Sequence, residues 1–273
     1  MRFKKNVRMT LLYLAFVVIG VVMVFPFIWM IATSFKTGTD IYSLSLLPKK
    51  FTLDNYREVL AGSDFPRWFL NSFLVAGITT LSVLVFDPLL GYAFCKYRFR
   101  GKEAIFTMLL STMMIPTEMM IIPWYMMVNQ LDWNNTYWSM LFPGLSSAFG
   151  IFLMRQFFTG VPNELLDAGR IDGLSEFGVY TRIALPLVTP ALSALGIFTF
   201  LGNWNSFLWP VIALDSKEKY TITLGLAQFS AENASQWELI MTGASVATIP
   251  IIIIFLIFQK KIIEGVQLTG VKG

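Results

Sequence analysis

Residues 159–186 read TGVPNELLDAGRIDGLSEFGVYTRIALP, a polar interlude between two long apolar runs. Helix connections in bundles are usually short, about 2–8 residues. This one is longer, and its pattern predicts two short helices. Pro162 suits a first helical turn, with Glu164 and Asp167 near the positive end of the helix dipole. Leu165, Ala168 and Ile171 share one face. Gly173 can end that helix in the left-handed conformation, and Ser175 can cap the next. Phe177, Tyr180 and Ala184 then share a face, and Pro186 is a natural break. The pair would lie against a membrane, with Asp167, Arg170, Asp172 and Arg182 open to water or a partner. From the residues alone, a solvated connector fits as well.

The surroundings explain why a membrane is invoked. Of 273 residues, 55% are apolar and 14% charged, against about 25% charged in an ordinary soluble domain. Runs free of Asp, Glu, Lys and Arg cover 9–35, 68–86, 133–154, 183–214 and 239–259. A sixth apolar segment, 104–128, is interrupted only by Glu118. About 20 apolar residues cross a hydrocarbon core. The expected fold is therefore an all-α integral membrane protein with six transmembrane helices. They fall near 10–33, 69–94, 104–128, 137–158, 187–213 and 239–259. The first run is too long for a signal-peptide core. With the N-terminus inside, fourteen Lys and Arg fall on the cytoplasmic side and seven outside. That bias predicts both termini in the cytoplasm. No duplication is visible, so residues 1–273 read as one transmembrane domain, a polytopic bundle, with long outer loops near 34–68 and 214–238.

Composition also excludes chemistries. There is no histidine, and the only cysteine is Cys95. Within this chain there is thus no His-based metal site, disulfide or Ser-His pair. The net charge of +4 is accounted for by membrane topology rather than by nucleic acid. Gly101-Lys102 has Lys96 where a phosphate loop needs its first glycine, and Glu103 follows. No nucleotide loop is present.

The segment Asp167-Ala168-Gly169, three residues, Gly173, nine residues, Ile183-Ala184-Leu185-Pro186 resembles the EAA loop of ABC importer permeases. Asp167 stands where that family has Glu, and Gly169 where it has the second Ala. Further matches include Asn71-Ser72, Gly91-Tyr92-Ala93-Phe94, Ile115-Pro116 with Glu118, Trp204-Asn205 and Gly270-Val271-Lys272-Gly273. Together they resemble the smaller six-span subunit of carbohydrate-uptake permeases of the maltose and oligosaccharide class. The resemblance implies a non-catalytic subunit of an ATP-driven importer in a bacterial or archaeal cytoplasmic membrane. It implies a second permease subunit, two ATPase subunits that bind the ATP and Mg, and an extracytoplasmic sugar-binding protein. The binding protein would meet loop 214–238, and the tail 265–273 would reach the ATPase interface. Loop 159–186 would couple to an ATPase through Glu164, Asp167, Ala168, Gly169, Asp172, Gly173, Ile183, Leu185 and Pro186. A gradient-driven secondary transporter or channel is the alternative; paired broken helices would support it, and the sequence shows no convincing pair.

Polar residues inside the spans are costly and face a bundle interior or a wet cavity. Glu118, between Pro116 and Pro123, reads either as a pathway-facing group or as a structural carboxylate. Asp87, followed by Pro88, is expected nearer the cytoplasmic end of span two, in a structural role. Asn203, Trp204 and Asn205 could line a sugar path by amide bonds and aromatic stacking, or simply bond between helices.

Overall fold

The computed structural model describes residues 2–43 and 45–270, with side chains over 9–43 and 45–259. The tail 265–273 therefore lies outside the described side chains. Among the described residues the fold is all-helical. The helices are α1 (Arg2–Thr33), α2 (Asp54–Ala61), α3 (Phe65–Lys96), α4 (Lys102–Thr112), α5 (Ile121–Gln130), α6 (Tyr137–Leu141) and α7 (Ala148–Thr159). After them come α8 (Asn163–Ile171), α9 (Glu176–Val179), α10 (Leu185–Leu187), α11 (Thr189–Trp204), α12 (Leu208–Ala213), α13 (Ile222–Glu232) and α14 (Trp237–Gly270).

Four segments are long and apolar enough to cross a membrane: Met9–Thr33, Phe65–Lys96, Tyr137–Thr159, which is interrupted between Leu141 and Ala148, and Trp237–Gln259. Two more candidates are bent pairs. Lys102–Thr112 and Thr117–Gln130 meet at 97°, and Glu176–Leu187 and Thr189–Trp204 at 80°. The expected span 104–128 is thus not one straight helix. It breaks around Pro116, which has no N–H to donate. Glu118 sits in the short turn Thr117–Met120 at that break, exposed, rather than inside a helix. The expected span 187–213 likewise ends early. Helix α11 stops at Trp204, and α12 begins only at Leu208. The break expected at Pro186 comes two residues later, at Val188. Before it runs a π-helical turn, Tyr180–Ala184, in which Leu185 N–H reaches Tyr180 O, five residues back. The regular ladder is already displaced there, so Pro186 removes no ordinary helical bond.

The chain divides into two compact units, residues 1–66 with 225–249, and residues 67–224 with 250–273. In the first, the segment after α1 folds around Lys36. Its fully buried ammonium donates to Ser45 O at 2.6 Å and Ser43 O at 3.2 Å, and lies 4.7 Å from the Trp29 ring centre. Asn55 Nδ2 donates to Ser34 O and Lys36 O at 2.8 and 2.9 Å. These bonds satisfy carbonyls in the turn just past the end of α1. In the second unit, the main core joins α3, α7 and the 159–188 segment through Tyr92, Met154, Phe158, Leu166, Val179 and Tyr180. The opposite end of that unit is stitched by side chains onto the 213–222 loop. Trp68 Nε1 donates to Lys217 O at 2.7 Å, and Asn71 Nδ2 to Glu218 O and Tyr220 O, both at 2.9 Å. Asn135, at φ +54°, holds Ser216 Oγ at 2.6 Å and accepts from Ser216 N at 3.1 Å.

Candidate functional site: the helix pair 163–187

Helix α8 follows Pro162, whose extended ψ turns the chain into the helix. It buries Leu166 and Gly169 and leaves Leu165, Ala168 and Ile171 exposed, Ile171 at 85%. The apolar face read from the sequence is therefore bare rather than packed inward. Gly169 explains its own departure from alanine. A Cβ there would overlap the Ile183 side chain, so the glycine lets α8 close onto the following helix. Gly173, at φ +84°, ends α8. Leu174 N–H reaches Gly169 O at 3.0 Å, and Gly173 N–H reaches Arg170 O at 3.1 Å. Ser175 Oγ then accepts from Gly178 N at 3.2 Å and caps α9.

The charged residues converge on Arg170. Its Nη1 donates to Asp167 Oδ1 at 2.6 Å, its Nε to Glu176 Oε1 at 2.7 Å and its Nη2 to Glu176 Oε2 at 3.1 Å. Tyr97 OH donates to Glu176 Oε2 at 2.8 Å, from just beyond the end of α3. The Arg170 guanidinium, and then the Tyr97 hydroxyl, hold the Glu176 carboxyl below its ordinary range. Burial, then the bond to Glu176, pushes the Tyr97 phenol up to about 12. Asp167 is thus already paired within the chain. Glu164, Asp172 and Pro186 are exposed, and Ile183 and Leu185 are half-buried against the core. Lys96 adds a second tie to α3. Its Nζ donates to Val161 O at 2.6 Å and Asn163 Oδ1 at 2.9 Å. The Asp167–Arg170 pair is legible from helical spacing. The Glu176, Tyr97 and Lys96 contacts are not, because they cross turns.

The four path candidates do not act as one group. Trp204 is 1% exposed, edge-on to Phe69 at 5.3 Å and stacked with Phe200 at 5.8 Å. Its ring is a packing element, not an open stacking face. Asn203 Nδ2 donates to Thr199 O at 2.8 Å, and Asn205 Nδ2 to Leu201 O at 2.9 Å. Both amides bond their own helix one turn back. Among the described residues, no cluster of three His, Cys, Asp or Glu could hold a metal ion.

Residues 88–267 match the family model described as binding-protein-dependent transport system inner membrane component. The chain belongs to this family. Relatives within it include the arabinooligosaccharides transport system permease protein AraQ of Bacillus subtilis. It is 36% identical over 96% of this chain and 95% of its own length. The lactose transport system permease protein LacG of Rhizobium radiobacter is 32% identical over 89% of both. A chain of a bacterial ABC transporter involved in importing the acidic polysaccharide alginate has the same fold, at a TM-score of 0.84. It is 21% identical over 94% of this chain and 97% of that one. As an inner-membrane component, the chain is a multi-pass permease and not an enzyme. Membership in the binding-protein-dependent family also sets aside the gradient-driven reading.

Proposed function

We propose that the chain is a permease subunit of an ATP-driven ABC importer that moves a sugar, of oligosaccharide size, from a soluble binding protein into the cytoplasm. The named relatives for arabinooligosaccharides and lactose support the substrate class. A solved complex of the alginate transporter with a pentasaccharide-bound periplasmic protein supports the binding-protein partner. Six crossings, the third made by the bent pair 102–130 and the fifth by α11 and α12, put both termini on one side, which the Lys and Arg bias makes the cytoplasm of a bacterial or archaeal cell. Residues 1–273 then form one permease domain, with loop 159–186 on the cytoplasmic side.

The observation that carries this reading is the bare apolar face of the helix pair. Leu165, Ile171 and Phe177 are 46%, 85% and 67% exposed on a segment rich in charge. Water alone does not favour that arrangement, whereas a protein cleft does. We assign that cleft to one of two ATPase subunits, which bind the ATP and Mg. Glu164, Asp167, Ala168 and Asp172 would line the contact. Gly169, Gly173, Ile183, Leu185 and Pro186 would set the angle between the helices. A second permease subunit completes the pathway. Glu118, Asn203 and Asn205 would line it from this side, while Trp204 holds the wall in place. Purification of this chain in mild detergent tests the assembly. The reading expects a second permease and two ATPase copies to accompany it, and isolation of the chain alone would oppose it.

A further inference from the structure

Asp87 is fully buried nine residues before the end of α3, a membrane helix, and is richly bonded. Ser146 Oγ donates to its Oδ1 at 2.7 Å, and Ser147 Oγ to its Oδ2 at 2.9 Å. Ser147 N–H lies 3.1 Å from Oδ2 and 3.2 Å from Oδ1. Ser147 is also the N-cap of α7, accepting from Gly150 N at 2.8 Å. A Cβ at Gly150 would overlap the Asp87 carboxylate, so the site is closed around that group. The carboxylate sits where the α7 dipole is positive and its first N–H groups lack helical partners. Asp87 thus lies nearer the second end of α3 in a structural role, enclosed by protein. It faces the interruption in span four, between Leu141 and Ala148, where freed backbone groups need partners.

Lys96 lies nine residues further along α3, about 14 Å at the helical rise. Its Nζ holds Val161 O and Asn163 Oδ1, just past the other end of α7. Between these two ties the helices approach closely. A Cβ at Gly91 would lie 2.8 Å from Met154 Cβ and 2.9 Å from Arg155 N. Tyr92 packs edge-on to Phe158 at 5.2 Å. The inner half of α3 and the whole of α7 are thus tied at both ends and pressed together in the middle.

We propose that Asp87 and Lys96 are positioning residues that bind the inner half of α3 and α7 into one strut. A displacement of the 163–187 helix pair then travels through this strut as a rigid body, up to the break at residues 142–147. The proposal rests on the importer reading for what displaces the helix pair. It places the flexing point of span four at the break and assigns Asp87 the task of keeping that flexing out of α7.

The strut can be locked and then asked whether it still works. Cys95 Sγ lies 3.7 Å from Thr159 Oγ1. The variant Thr159→Cys puts a second thiol opposite the native one. Copper phenanthroline, taking two electrons as two thiol protons leave, can close a disulfide there. In the purified complex with loaded binding protein, the strut predicts that the oxidised variant transports as much sugar per ATP as the reduced one. Loss of transport on oxidation, restored by dithiothreitol, would overturn it. Asp87 is tested in the same complex. Asp87→Asn keeps a side-chain oxygen that can accept from Ser146 and Ser147 and should retain coupling. Asp87→Leu should lower sugar moved per ATP by about tenfold, as expected when charge-assisted bonds are lost, with ATP hydrolysis maintained. An assembled Asp87→Leu complex with unchanged coupling would contradict the role, and if that variant does not assemble, the disulfide experiment decides. Failure of the importer reading would show separately, as absence of ATP hydrolysis in the wild-type complex. Oxidation of the thiol pair in intact membranes would then decide the strut, complete if α3 and α7 stay together and partial if they part.

Discussion

Arg170 holds oxygens from Asp167 and Glu176 at once, and Tyr97 completes the ring of contacts. The side chains of Arg170 and Asp167 are 38% and 61% exposed, so their bond is worth only about 0–1 kcal/mol to stability. Asp167→Lys should therefore leave the chain folded. It sets a cation beside Arg170 and removes an acidic group from the docking face. The expected result is ATP hydrolysis that no longer drives transport, measured as sugar moved per ATP. Wild-type transport by this variant would remove Asp167 from the coupling contact. The pH response follows from Glu176. Its pKa is depressed in the folded state, so its stabilising contribution is present above the unfolded value and is lost as pH falls through the folded one. Tyr97, pushed up to about 12, stays a neutral donor throughout the neutral range. Hydrogen exchange of residues 163–187 should be level, after correction for intrinsic rates, from about pH 6 to about pH 9, and protection should fall only in acid. A loss of protection within the neutral range would contradict the clasp.

At the scale of elements, the sequence was most legible where a local rule decides the backbone. Gly173 at positive φ and Ser175 as a cap were both readable in advance. So was the pairing of two short helices around them. The buried face was not, because the four-residue turn 172–175 sets it through Gly169 and Ile183, which are distant in sequence. Bends were also hidden. A hydropathy window averages across Pro116 and Val188 and cannot register an 80–97° change of direction. Trp204 was left open between two roles for a related reason. An aromatic beside two asparagines has the composition of a sugar site, and only Phe69 and Phe200 reveal it as packed. The bare face gives a direct prediction. Ile171 is 85% exposed, so Ile171→Glu should shift folding stability by less than about 0.5 kcal/mol. The same change should weaken recovery of ATPase subunits with the tagged chain. Undiminished recovery would place the ATPase contact elsewhere.

For the whole molecule, the count of membrane crossings was read from six charge-poor segments. The structure renders them as four long apolar segments, one of them interrupted, and two bent pairs. Family membership was carried chiefly by the spacing within residues 167–186, which composition alone could not supply. The substrate path was the least legible part, since a pathway shared between two permease subunits is only half encoded here. The central claim is that this chain couples a loaded binding protein on one side of a membrane to ATP hydrolysis on the other. ATP hydrolysis by the lipid-reconstituted complex, with binding protein and a panel of oligosaccharides, measures that most directly. The account predicts hydrolysis that rises when one binding protein is loaded with its sugar. Hydrolysis indifferent to every loaded binding protein would contradict it.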